Sequence, residues 1–211
     1  PGAFFVGHHL STIEGGMIAT DDEELTQMLT MVRAHGWDRG LPPEKQKELR
    51  TKHSIDDFHA QYTFYELAYN LRPTEITGFL GVLQLPLLEQ TIDERQRNFH
   101  QFLHALHSQP TQYYPLATDH IQRISSFAMP VIARSPKILK KILQKFEAAG
   151  IEIRPIIAGD ITMHPFWKRF CPPTSCPNAS LIHEQGFYFP NNPDLTNNEV
   201  SLLCELLHQE L

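Results

Sequence analysis

The sequence predicts an α/β fold, in which a strand-containing first part leads through a long helix into a small second domain. Three observations carry that prediction. Two short apolar runs, residues 3–6 and 16–20, flank a polar crossing. A long helical stretch occupies 74–107. Beyond residue 120 the order is strand, helix, strand, then strand and helix, which suggests a small sheet with mixed or antiparallel pairing.

Each element has its own signal. Residues 3–6 and 16–20 are rich in apolar, aromatic and β-branched side chains and read as strands. Thr20-Asp21-Asp22-Glu23-Glu24 offers oxygens to cap free N–H groups, so a helix opens there. Leu25, Met28, Leu29 and Val32 share one face, and Gly36 is placed to stop the run. Residues 37–62 are polar, hold Pro42-Pro43 and read as a long loop with one short helix. In 74–107, Ile76, Phe79, Leu80, Leu83 and Leu87 line one side, and Pro86 should kink or break the helix. Residues 125–133, 151–157 and 187–189 read as strands. Residues 137–149 form an amphipathic helix with Ile142 and Phe146 inward, ended by Gly150. Thr196-x-x-Glu199 is a capping box for a last helix, with Leu195 and Val200 as its staple.

Bulk composition excludes several function classes. The chain has 211 residues, 41% hydrophobic and 20% charged, enough for a core without staples. Its net charge is −6 with scattered Lys and Arg, so nucleic acid is not an expected partner. No run of 18 apolar residues suggests a membrane span, and the apolar start lacks the charged region of a signal peptide. Cys171, Cys176 and Cys204 read as reduced thiols of a cytoplasmic protein. The 12 histidines show no metal-binding spacing, so no metal is expected.

The informative run is Phe5-Val6-Gly7-His8-His9-Leu10-Ser11-Thr12-Ile13-Glu14-Gly15-Gly16. Further segments follow in order: Arg33-Ala34-His35-Gly36, Tyr69-Asn70-Leu71-Arg72-Pro73-Thr74-Glu75, Gly81-x-x-Gln84-Leu85, Gly150–Pro155, Ala158-Gly159-Asp160 and Gly186–Asn191. Together they resemble the DegT/DnrJ/EryC1/StrS sugar aminotransferase family over essentially the whole chain. In that family a strand delivers a lysine, and Glu-Gly-Gly follows six residues later. Glu14 is that glutamate, so His8 stands at the lysine position. The branch with histidine there, followed by a second histidine, comprises nucleotide-sugar 3-dehydratases, and His8-His9 matches it.

The resemblance implies the C-terminal portion of a fold-type I pyridoxal-phosphate-dependent transferase. Residues 1–85 would be the end of the large domain, and 86–211 a small α/β domain with its long linking helix. It implies pyridoxamine or pyridoxal 5′-phosphate held non-covalently. The expected reaction is 3-dehydration of a nucleotide-activated 4-keto-6-deoxy sugar for lipopolysaccharide or O-antigen synthesis. Histidine cannot form the imine that lysine forms, but with an ordinary pKa of about 6.5 it can still serve as a base. His8 is therefore the expected catalytic residue, removing the proton at the cofactor's C4′ carbon as the 3-hydroxyl leaves. Asn70 matches the asparagine that reaches the cofactor phosphate of the neighbouring subunit in a homodimer; capping the following helix is its alternative role. His9, Arg72, Arg154 and His164 are candidate substrate-binding residues, against plain surface or packing roles.

Two departures stand out. The family's serine five residues before the lysine position is Ala3 here, which removes a phosphate hydrogen bond of about 1–3 kcal/mol. The loop at 37–62 holds no cysteine, so an iron–sulfur cluster is not expected there. The sequence also lacks the family's N-terminal half, which supplies most of the cofactor pocket. An aminotransferase relative and a non-catalytic remnant are therefore the competing readings.

Overall fold

The structure is a computed structural model that describes residues 2–3 and 9–210. It divides into two compact units, Pro1–Leu85 and Pro86–Leu211.

In the first unit, β1 (Gly2–Ala3) pairs antiparallel with β2 (Gly16–Met17), Gly2 opposite Met17 and Ala3 opposite Gly16. β2 is shorter than the strand expected at 16–20, and residues 4–6 of the other expected strand lie outside the described residues. Helix α1 (Glu23–Val32) starts where the carboxylate-rich run predicts, with Asp22 Oδ1 accepting from Leu25 N at 3.0 Å. Within 37–62, where a loop with one short helix is expected, the helix is α2 (Pro43–His53, 11 residues), followed by a 3₁₀ turn at His59–Tyr62. α2 is all but devoid of apolar residues, so periodicity could not reveal it. Proline at its start, and Arg50, Lys52 and His53 in its last turn facing the negative helix end, are the signals it does carry.

α3 (Glu75–Gln84) is capped by Thr74, whose hydroxyl accepts from Thr77 N at 3.3 Å while Thr77 Oγ1 accepts from Thr74 N at 3.2 Å. The helical run breaks near Pro86, through a 3₁₀ turn at Leu85–Leu87, before α4 (Leu88–His107). The apolar side expected of α3 exists but is not buried: Ile76, Phe79, Val82 and Leu83 are exposed, and only Leu80 is partly covered.

The second unit holds the chain's main core. β3 (Ala128–Ile132), α5 (Pro136–Ala148), β4 (Arg154–Pro155), α6 (Pro165–Phe170), α7 (Pro177–Gln185), β5 (Gly186–Pro190) and α8 (Asn197–His208) follow in order. The sheet runs β3-β5-β4 and is antiparallel throughout. Alternation along β5 buries Phe187 and Phe189 and leaves Tyr188 only partly covered. Phe102 of α4 meets Phe189 edge-on at 5.2 Å, and Phe146 of α5 meets Phe187 at 5.5 Å. Tyr113 is buried beside them; its hydroxyl donates to Leu207 O, and burial pushes its pKa up to about 12.

Two expectations are corrected here. Of the strand read at 151–157, only Arg154–Pro155 pairs: β4 is an edge strand, where a proline without an N–H is tolerated. Helices α6 and α7 were not anticipated, although each begins with proline in its first turn.

Candidate functional site

The site is built in the first unit from three chain segments. The first follows the double histidine. His8 lies outside the described residues, but the segment just after it is anchored. Gln84, on the last turn of α3, accepts from Ser11 N at 2.9 Å and donates through Nε2 to Ser11 O. One turn earlier, a Cβ on Gly81 would already touch the Thr12 methyl at 3.4 Å. Thr12 is buried, and its hydroxyl donates to Glu14 O at 3.1 Å. His9 is exposed.

The second and third segments hold each other. Val32 O accepts from Tyr69 N at 2.9 Å, Arg33 O from Leu71 N at 2.7 Å, and Tyr69 O from His35 N at 2.7 Å. Ala34 and Asn70 thus face each other in an isolated antiparallel bridge. Gly36 makes the exit turn with φ +80°, and its carbonyl accepts from Tyr65 N at 2.7 Å. A Cβ at Gly36 would sit 2.1 Å from Glu66 O, so both the left-handed backbone and the close approach require glycine.

Asp38, two residues after Gly36, is fully buried and accepts from Arg50 Nε at 2.8 Å. Arg50 Nη2 also donates to Gln46 Oε1, and Gln46 Nε2 donates to Leu41 O, both within 3 Å. The hydrogen bond to Asp38 holds the Arg50 guanidinium above its ordinary pKa. Helix α2 is thereby tied to the residue between Trp37 and Arg39.

The outer face carries the polar groups. Asn70 is exposed and does not cap α3, because Thr74 does. Its Oδ1 accepts from Arg72 Nε at 3.2 Å, and its Nδ2 donates to no protein acceptor among the described residues. Beside it, a depression of about 390 Å³ is lined by Arg33, Trp37, Arg39 and Arg72, among others. Trp37 and Arg39 escaped the motif reading; their only signal was an aromatic and a cation two residues apart, next to Gly36.

The structure therefore brings Asn70 and Arg72 together. The other two candidates belong to the second unit. Arg154 is exposed and paired with Glu152, whose hydrogen bond holds the guanidinium above its ordinary pKa. His164 Nε2 donates to Ala158 O at 2.9 Å, and His183 lies 6.5 Å away, ring to ring. Nearby, Asp160 is buried and accepts from Ser180 Oγ at 2.6 Å and from Thr162; those bonds hold its pKa below the usual range. Among the described residues, no group of three or more His, Cys, Asp or Glu side chains gathers as a metal site, and no helix is long and apolar enough to cross a membrane.

The model of the DegT/DnrJ/EryC1/StrS aminotransferase family matches residues 3–208. The chain is 32% identical to a GDP-4-keto-6-deoxy-D-mannose 3-dehydratase of Escherichia coli O55:H7, over 96% of this chain and 52% of that protein. It superposes with a TM-score of 0.80 and 28% identity on an E. coli GDP-4-keto-6-deoxy-D-mannose-3-dehydratase with bound hydrated PLP, covering 97% of this chain and 53% of that one. It superposes at 0.81 and 31% identity on a mutant of GDP-4-keto-6-deoxymannose-3-dehydratase with bound GDP-perosamine, with the same coverage. The fold is that of the C-terminal portion of these chains, and this chain spans about half their length.

Proposed function

Because this chain belongs to the DegT/DnrJ/EryC1/StrS aminotransferase family, we propose that it is the C-terminal part of a 3-dehydratase acting on a nucleotide-activated 4-keto-6-deoxy sugar. The observation that carries this reading is His8-His9, placed six residues ahead of Glu14-Gly15-Gly16. The 32% identity to a GDP-4-keto-6-deoxy-D-mannose 3-dehydratase supports it, and suggests GDP as the nucleotide. The product would serve lipopolysaccharide or O-antigen sugar synthesis. In this reading, residues 1–85 end the cofactor-binding large domain and 86–211 form the small domain.

Asn70 suits the phosphate of pyridoxamine or pyridoxal 5′-phosphate held without a covalent bond: Arg72 occupies its Oδ1, and its Nδ2 donors are the groups that bind phosphate oxygens. When bound, the pyridoxamine form supplies the amine that meets the sugar ketone and the conjugated ring that takes up electrons. His8 would serve as the base for the proton at the cofactor's C4′ carbon, whose removal the loss of the sugar's 3-hydroxyl as water requires. Gln84, through Ser11, fixes the chain just beyond that base. Asn70 reaches the phosphate across a homodimer boundary; Leu67, Tyr69 and Leu71, which are 98%, 67% and 68% exposed, give its segment the apolar surface a partner subunit would cover. His9, Arg72, Arg154 and His164 bind substrate. The free thiols of Cys171, Cys176 and Cys204 suit a cytoplasmic enzyme.

The test is turnover by the full-length polypeptide with pyridoxamine 5′-phosphate and GDP-4-keto-6-deoxymannose, following loss of the 3-hydroxyl. His8→Asn should lower the rate by about 10²–10⁴-fold, the range of a lost general base, without loss of cofactor binding. An amino-sugar product, or a variant as fast as the parent, overturns the reading.

A further inference from the structure

Helix α4 carries two histidines, His100 and His104, four residues apart. In a continuous helix that spacing sets one side chain above the other, with Cβ atoms about 5–6 Å apart. α4 runs unbroken from Leu88 to His107, and Asn98, Phe99, Phe102, Ala105 and Leu106 are buried on its opposite side. Core packing therefore fixes the rotation of the helix and turns both imidazoles outward, where each is exposed.

Among the described residues, neither ring has a hydrogen bond, ion pair or ring contact. Other histidines are engaged. His107, one turn further on, accepts from Leu116 N at 3.3 Å through Nε2; His208 meets Ser108 Oγ at 2.8 Å; His59 meets Asp56 at 2.6 Å. Arg97, three residues before His100, is drawn to Glu94, which takes its charge away from the pair. His104 also stands in the last turn of α4, where the helix dipole favours a positive charge.

Two stacked, unengaged imidazoles suit one kind of ligand. Neutral imidazole nitrogen is the commonest metal ligand, at about 2.0–2.1 Å from zinc. An ion at that distance from both rings spans the gap between the two side chains. Two protein ligands leave the other positions to water, so the ion exchanges; among the described residues no larger group of ligating side chains gathers to trap one. Nitrogen donors select copper, nickel and zinc over magnesium and calcium, which take oxygen.

We propose that His100 and His104 form an exchangeable site for a divalent transition-metal ion, which clamps the last turns of α4. No metal is expected from the sequence, because a spacing of four says nothing until a helix runs unbroken through both residues with that face outward. The site belongs to the second unit and uses none of the cofactor or substrate residues. An ion that binds the folded helix and not the unfolded chain stabilises α4.

The test is calorimetric titration of the full-length polypeptide with copper, zinc and magnesium chlorides in turn. Copper should bind more tightly than zinc, and magnesium should give no heat of binding. His100→Asn and His104→Asn should each weaken one equivalent of copper by at least tenfold. His107→Asn, whose ring is engaged by Leu116 N, should leave that equivalent unchanged. Far-UV circular dichroism checks that each variant is folded. Hydrogen exchange of the amides in the last turns of α4 should slow with added zinc in the parent and in His107→Asn, and not in the other two variants. Copper binding unchanged in folded His100→Asn or His104→Asn overturns the proposal, as does zinc-independent exchange in the parent. The readout needs neither cofactor nor turnover, so failure of the dehydratase reading leaves it untouched.

Discussion

Gln84 grips Ser11 by both backbone groups, its carboxamide accepting from the N–H and donating to the carbonyl across 73 residues of sequence. A single side chain thus completes, for one residue, the pairing a neighbouring strand would otherwise provide. Gln84→Ala leaves both groups of Ser11 without that partner. At about 1 kcal/mol for each hydrogen bond, the first unit should lose roughly 2 kcal/mol. Hydrogen exchange at the Ser11 amide checks this directly: it should speed up in the variant, and exchange in α8 should not change.

Gly36→Ala should damage the site without removing any polar group. The new methyl would meet Glu66 O, and the left-handed φ adds strain of about 1–3 kcal/mol. The bridge between Ala34 and Asn70 should loosen, so the variant should lose binding at Asn70 and Arg72 together, visible as a joint drop in cofactor and GDP affinity.

Arg50→Ala strands a buried carboxylate. Asp38 would be left buried and unpaired, a loss of about 3 kcal/mol by analogy with broken buried pairs. Asp38→Asn, which keeps an acceptor for Arg50, should cost less. Urea midpoints of the two variants check the order; equal losses would show that α2 is not held through this contact.

The cap of α8 should be acid-sensitive. The Thr196 hydroxyl and N–H both donate to Glu199, which holds its pKa below the ordinary 4.5. A depressed folded-state value favours the folded form above the ordinary pKa, and that advantage disappears as pH falls through the lower value. Thr196→Ala should destabilise by about 1 kcal/mol at pH 7, and the gap to the parent should narrow by pH 3 in urea unfolding.

How much of this was legible depended on whether a feature leaves a local pattern. Thr196-x-x-Glu199 announced α8 because the cap is made by residues three apart, and Pro86 announced the break before α4 because proline cannot continue a helix. α2 was invisible to periodicity because it buries no apolar face. The strand read at 151–157 failed for the opposite reason: alternation was present, but only Arg154–Pro155 finds a partner, at the sheet edge. At the site, the segments around Gly36 and Asn70 were visible as separate motifs; that they dock backbone to backbone was not, because the contacts use main-chain groups common to every residue. Trp37 and Arg39 were missed since a stacked pair has no spacing rule.

If an imidazole occupies the place of a cofactor-tethering amine, restoring the amine must show in the absorption spectrum. Full-length protein carrying His8→Lys and mixed with pyridoxal 5′-phosphate should develop a visible band that borohydride removes, with the cofactor then bound covalently to residue 8 by mass spectrometry. A cofactor that stays dissociable in that variant, with no such band, would mean that residue 8 does not stand at the tethering position.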